Sequence, residues 1–270
     1  MPLVLPQPLH TVYDFVPMIT TATFIGIDLA WSDRNPTGLA HLVYDGKSAQ
    51  LVATAHLVSD EDIIDWISIR VQKTTWLGID GPIIAPNPAK TSRPADKLVT
   101  SLFGRFHAGV YPGNQEKCIR PIRLCNKLMA HGFSPDPFLS LRSGKRQLEI
   151  FPHLAQIALF GTKRIIKYKK GGVEHKRHGL KLFQRAIATL TNNAPRLCSS
   201  RLLSELLTQD PDHLSGRKLK ALEDRLDALL CAYMTLYFWQ RGEEKCAVYG
   251  DLKTGYIIGP KRPLSERVAN

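Results

Sequence analysis

Apolar residues begin to cluster at residue 22. Thr23–Ala30 is almost wholly apolar and predicts a buried central strand. Leu39–Tyr44 and Leu51–Leu57 are shorter apolar runs with the Asp45-Gly46 turn between them, a strong hairpin signal. Three strands joined in this way make an antiparallel meander. Ser59 reads as a helix N-cap, with Glu61 and Asp62 in the first turn, where acids suit the helix dipole. Ile63, Ile64, Ile67 and Val71 then share one helical face through about Gln72. Thr75–Ile79 is a short apolar strand closed by Asp80-Gly81-Pro82. The helix returns the chain to the sheet, so the pattern predicts an α/β fold: a mixed sheet with helices packed on it.

From 83 to 146 the pattern breaks. Pro, Gly, Arg and Lys are frequent, and only Ala95–Phe103 and Glu116–His131 carry helical signals, the second interrupted by Pro121. This stretch reads as an insertion or lid after the fourth strand. Gln147–Phe151 resumes the sheet, and Pro152 suits the first turn of a helix to Phe160 that stops at Gly161. Lys163–His178 reads as a basic loop. Helices are expected at about 179–191, 200–209 and 216–241, the last buried from Ala228 onward, with a closing hairpin around Lys253-Thr254-Gly255. The expected organisation is a loose leader over 1–20, one domain over 21–260 and a tail over 261–270. The leader lacks the charged start, apolar core and cleavage site of a secretory signal, and Met18 is an alternative start.

Composition narrows this picture only a little. The chain is 44% hydrophobic and 22% charged, as globular domains are. No apolar run reaches the roughly 18 residues of a membrane span, so no membrane partner is expected. Five scattered cysteines without a C-x-x-C pair suggest reduced thiols in a cytoplasmic protein and argue against structural zinc. The net charge of +12 favours an anionic partner, although a basic enzyme with no polyanion ligand fits the charge equally.

Four acids bring in the chemistry. Asp28 and Asp80 end apolar strand-like runs, Glu149 interrupts another, and Asp227 opens the run Asp227–Tyr233. A carboxylate at the edge of a core segment is costly unless paired or bound to a cation. Two divalent cations held by carboxylates activate water and neutralise charge in phosphodiester hydrolysis. Magnesium, or manganese in its place, suits such oxygen ligands. If the first and fourth strands are neighbours, Asp28 and Asp80 meet at one sheet end and Asp227 completes the site. Asp224, three residues earlier, shares its helix face. Taken singly, Asp28 and Asp80 are equally well read as turn caps and Asp227 as a solvated residue; the joint pattern favours the metal site.

The basic segment Lys163, Arg164, Lys167, Lys169, Lys170, Lys176 and Arg177 carries Tyr168, His175 and His178 among its charges. That mixture suits contacts to a nucleic-acid backbone with a base-stacking ring, or else a solvated loop. In the insertion, Arg93 and Arg105 could contact phosphate, while Asp96 could pair with one of them at the surface. His107 reads as an ordinary loop histidine and Tyr111–Asn114 as a turn.

Several short motifs occur in a characteristic order: Gly26-Ile27-Asp28-Leu29-Ala30-Trp31, Gly78-Ile79-Asp80-Gly81-Pro82, Arg93-Pro94-Ala95-Asp96 and Phe103–Gly109. Tyr111–Asn114, Glu149-Ile150-Phe151-Pro152-His153, Lys167-Tyr168-Lys169-Lys170 and Asp227–Ala232 follow. Over about residues 22–260 the chain resembles domain of unknown function 429, a family of predicted nucleases. The resemblance implies a ribonuclease H-like sheet, with Asp28, Asp80 and Asp227 as metal ligands. Glu149 matches the family's Glu-x-x-Pro element, and the Asp224/Asp227 spacing is similar to the paired last-helix acids of Holliday-junction resolvases. The expected function is therefore metal-dependent hydrolysis of nucleic acid, with Asp28, Asp80, Glu149 and Asp227 catalytic. Arg93, Arg105, Lys167, Lys169 and Lys170 would hold the strand.

Two alternatives stand beside it. One is a non-catalytic nucleic-acid-binding module on the same fold. The other is an actin-like kinase or ATPase, which the missing glycines after Asp28, the short chain and the absence of a phosphate-binding G-x-x-x-x-G-K-[ST] loop disfavour. The type of nucleic acid and the oligomeric state are open at this level.

Overall fold

The computed structural model describes residues 21–138 and 144–261; the expected leader and all but the first residue of the expected tail lie outside them. The sheet has six strands in the order β5-β4-β1-β2-β3-β6. Strands β1 (Ala22–Asp28), β2 (Thr37–Tyr44) and β3 (Ser48–Leu57) form the antiparallel meander. Helix α1 (Asp60–Ser68), capped by the Ser59 side chain on Asp62 N–H, returns the chain so that β4 (Thr74–Ile79) lies parallel to β1. Strand β5 (Gly144–Glu149) adds in parallel to β4. This is the ribonuclease H-like mixed sheet expected above.

The insertion after β4 carries α2 (Pro94–Phe103) and α3 (Ile119–Ala130). Leu124, Cys125 and Leu128 of α3 are buried in the main core, and α2 packs with α4 (Pro152–Ala158) and a terminal hairpin around a smaller apolar cluster. The insertion is therefore built into the body of the fold. Pro121 sits within the first turn of α3, where its missing N–H has no partner to lose. The hairpin joins β7 (Cys246–Asp251) to β8 (Gly255–Pro260).

Three differences from the sequence reading bear on the fold. Strand β5 starts at Gly144, because Lys145 and Arg146 set their charged ends over the rings of Phe133 and Trp76 and so join the sheet despite their charge. Strand β6 (Arg196–Cys198) was not anticipated; it pairs in parallel with the start of β3 and buries only Leu197. The basic segment turns helical at Val173: α5 spans Val173–Ala188, so His175, Lys176, Arg177 and His178 belong to a helix. Its packed face begins only at Gly179 and Leu180, and the polar first turns gave no periodicity.

Helix α6 (Arg201–Thr208) leads to α7 (Gly216–Lys245), which breaks from helical geometry at Gly242. Helix α7 crosses β1 and β2 at backbone contact. A Cβ at Gly26 would lie 1.8 Å from the Ala228 carbonyl oxygen, and one at Gly38 would lie 2.2 Å from that of Asp224. That proximity brings the acids of α7 to the strand end that bears Asp28.

Candidate functional site

Parallel pairing of β1 and β4 aligns Ile27 with Ile79, and Asp80 N–H donates to the Ile27 carbonyl at 2.8 Å. Asp28 and Asp80 therefore leave the sheet side by side. Asp227 faces them from α7 and is fully buried. The three carboxylates surround one ammonium: Lys169 Nζ lies 3.1 Å from Asp227, 3.8 Å from Asp28 and 3.9 Å from Asp80.

The segment that delivers Lys169 is held from beneath. At Gly179 in α5 a Cβ would lie 2.1 Å from the Lys167 carbonyl oxygen, so glycine lets residues 167–168 rest on the helix. Tyr168 stacks on Phe183 with centroids 4.5 Å apart, and its hydroxyl donates to Asp227 Oδ1 at 2.5 Å. Tyr168 is fully buried, which corrects its expected use as a base-stacking ring. Its neighbour Lys169 points inward at the carboxylates, while Lys167 and Lys170 are exposed, as a backbone contact requires.

Asp224 lies on the other side of Asp28. It accepts from Lys220 at 2.5 Å and pairs with His56 Nε2 at 2.9 Å. A cavity of about 270 Å³ opens between Asp28, Asn35, Lys220 and Asp224. Asp28 thus stands between two cation-lined sides, Lys169 on one and Lys220 on the other.

Burial dominates the protonation of these acids. It pushes Asp80 up to about 8 against the attraction of Lys169, with Asp28 and Asp227 adding to the rise. Burial likewise raises Asp227 to about 7, against Lys169. For Asp224, burial and then the Asp28 charge give about 8, against Lys220. Burial alone would lower Lys169, but Asp227 and Asp28 outweigh it and hold the ammonium charged.

Two further residues make partners the sequence did not indicate. Arg93 is fully buried. It grips both oxygens of Glu149 at 2.6 and 2.7 Å and Asp96 at 2.7 Å. Glu149, expected beside Asp80 as a catalytic group, has both oxygens committed to Arg93 and one also to Ile83 N–H. A buried guanidinium needs that compensation, and the pair ties the insertion to the end of β5. Arg105 is exposed and lies over the Phe106 ring, free to meet an anion.

The sequence reading missed His56 and His153. Burial depresses both, His153 to about 3, so each is neutral near neutral pH. The Lys169 and Asp28 charges both act on His153. Its place in Glu149–His153 was visible, but no spacing rule linked it to Asp28.

Among the described residues, no group of three or more His, Cys, Asp or Glu stands as placed to hold a metal ion. The donor set nevertheless suits a hard divalent cation. Three carboxylates already converge on a positive charge, and buried Asp227 Oδ2 makes no hydrogen bond beside its ion pair with Lys169. They would have to draw in from 3.1–3.9 Å to metal–oxygen distances of about 2.0–2.1 Å.

Fold and cluster together define a ribonuclease H-like α/β protein with an acidic centre at the ends of β1 and β4. Residues 26–252 match the model described as Protein of unknown function (DUF429), and the chain belongs to that family. No curated protein matches it. Among solved structures it is similar to the Mn-soaked, inhibitor-bound nuclease domain of human cytomegalovirus terminase, at 11% identity. The match covers 80% of this chain and 82% of that one with a TM-score of 0.33, too distant to carry chemistry across.

Proposed function

We propose that the protein is a metal-dependent nuclease that hydrolyses phosphodiester bonds at the Asp28–Asp80–Asp227 centre. The observation that carries this reading is the convergence of these three carboxylates on one cationic point, Lys169 Nζ, with Asp224 beyond Asp28. Three acids at the end of two core strands cost stability unless a positive charge occupies their midst. Asp28, Asp80 and Asp227 would hold magnesium or manganese, with Asp224 completing the far side. Such cations supply an activated water and offset charge on the attacking and leaving oxygens. Tyr168 orients Asp227 through its hydroxyl. Lys167, Lys170 and Arg105 offer exposed positive charge to the strand's phosphates.

One observation favours a second reading. Lys169 itself neutralises the three acids, as a binding module that does no chemistry would require. The two separate on a panel of labelled single strands, duplexes, RNA–DNA hybrid and four-way junction. Cleavage with magnesium or manganese, lost in EDTA and in Asp28→Asn, supports the nuclease. Salt-sensitive binding that ignores both chelator and substitution, with no cleavage, supports the module.

A further inference from the structure

Two loops flank the acidic centre, and each carries an aromatic ring, one half-buried and one exposed. Trp31 follows β1, and its Nε1 would lie 3.5 Å from a Cβ at Gly81, the residue after Asp80. Tyr111 belongs to the insertion and is 64% exposed. The rings meet edge to face, with centroids 5.8 Å apart and planes at 66°. Lys117 Nζ sits 4.3 Å from the Tyr111 centroid.

Exposed aromatic residues are common and mean little alone. The anchoring of the loops that carry these two sets them apart. Arg120, 2% exposed, donates to the carbonyls of Ala30, Ser32 and Asn35 and pairs with Asp60. It fixes the loop that carries Trp31. Beneath Tyr111, Gly113 N–H donates to Asp96, which Arg93 holds, and buried Asn114 donates to the Thr91 carbonyl. A Cβ at Gly113 would lie 2.9 Å from Pro82 and 3.2 Å from Arg93 Nε. Two buried guanidinium networks thus anchor the two short loops that carry half-buried Trp31 and exposed Tyr111.

We propose that Tyr111, braced edge to face by Trp31, forms a preorganised platform on which an unpaired base stacks as its strand enters the Asp80 side of the site. This rests on the nucleic-acid reading above and narrows it to substrates with single-stranded character. The cavity between the rings and Asp80 is about 90 Å³, the room of roughly three waters, so the base lies on the Tyr111 ring instead of entering a closed pocket. Lys117 adds positive charge at the ring, suited to a neighbouring phosphate. Base–aromatic stacking tolerates any sequence, because every base has a π face.

The test is fluorescence anisotropy with a labelled single-stranded oligonucleotide, in EDTA and again in calcium, using the full chain. Tyr111→Ala, whose fold is checked by circular dichroism, should bind about tenfold more weakly than wild type, the scale of one lost stacking contact. Tyr111→Phe should retain binding, and Tyr111→Ala should leave blunt-duplex binding unchanged. Equal single-strand binding by wild type and Tyr111→Ala would overturn the platform and leave the nuclease reading standing. Wild-type protein that binds no nucleic acid at all would overturn that reading and the platform with it.

Discussion

Replacing Lys169 with methionine keeps the length of the stem and removes the charge that three carboxylates share. Above about pH 8, where Asp80 and Asp227 have lost their protons, the gross attraction at an effective dielectric of about 20 is about 5 kcal/mol for Asp227 at 3.1 Å, and about 4 kcal/mol each for Asp28 and Asp80 at 3.8 and 3.9 Å. Most of that is offset by the desolvation of Lys169 and by water, since its side chain is 32% exposed. A net loss of about 2–3 kcal/mol is expected in EDTA, below the range for fully buried pairs. For a chain of this size that is roughly a 5–10 °C fall in the thermal midpoint. A divalent cation should then restore what the lysine supplied. At manganese a hundredfold above its dissociation constant, the gain is about 2.7 kcal/mol. Wild type should gain less at the same concentration, because the ion must first displace the ammonium. The assay is thermal unfolding of both proteins in EDTA and across a manganese titration. Equal midpoints in EDTA, with equal manganese shifts, would refute a shared cation seat.

Asp28→Asn should abolish metal-dependent cleavage while leaving the thermal midpoint close to wild type, read by turnover of a labelled strand alongside unfolding. Arg93→Met should cost about 3–5 kcal/mol in urea unfolding, because Glu149 and Asp96 would be left buried without their partner. A loss under 1 kcal/mol would show the clamp to be dispensable. Without metal, stability should fall as pH rises from about 5 to above 8. The folded state keeps protons on Asp80, Asp224 and Asp227 that the unfolded chain, with pKa near 3.9, has already released. Urea midpoints across that range check the sign, and a flat profile would deny that these acids are held protonated by burial. Gly26→Ala should disrupt the β1–α7 contact by about 3 kcal/mol or more, because its Cβ would meet helix backbone that cannot yield; normal expression and unfolding would exclude so close a crossing.

The centre was legible where local pattern determines it. Asp28 and Asp80 end apolar strands whose meander and return helix leave them adjacent, and Asp227 opens a run too apolar to lie outside the core. Charged side chains were legible only as a class. Arg93 and Lys169 read alike as basic residues near a polyanion site, yet both turn inward. Arg93 reaches Glu149 across 56 positions of sequence, and no spacing rule encodes such a partner. The start of helix α5 escaped notice because its first turns are polar and solvated, and β6 because three residues with one buried side chain make no pattern. His56 reaches Asp224 only because α7 crosses β2 at Gly38, opposite His56 in the ladder.

The most direct measurement is anomalous diffraction from crystals soaked in manganese. A peak bounded by Asp28, Asp80 and Asp227, with Lys169 turned out of the position it holds here, is the predicted result; a second peak between Asp28 and Asp224 would complete a two-metal site. Lys169 still seated among the three carboxylates, with no peak beside them at saturating manganese, would contradict the central claim that these acids form a site for a catalytic cation.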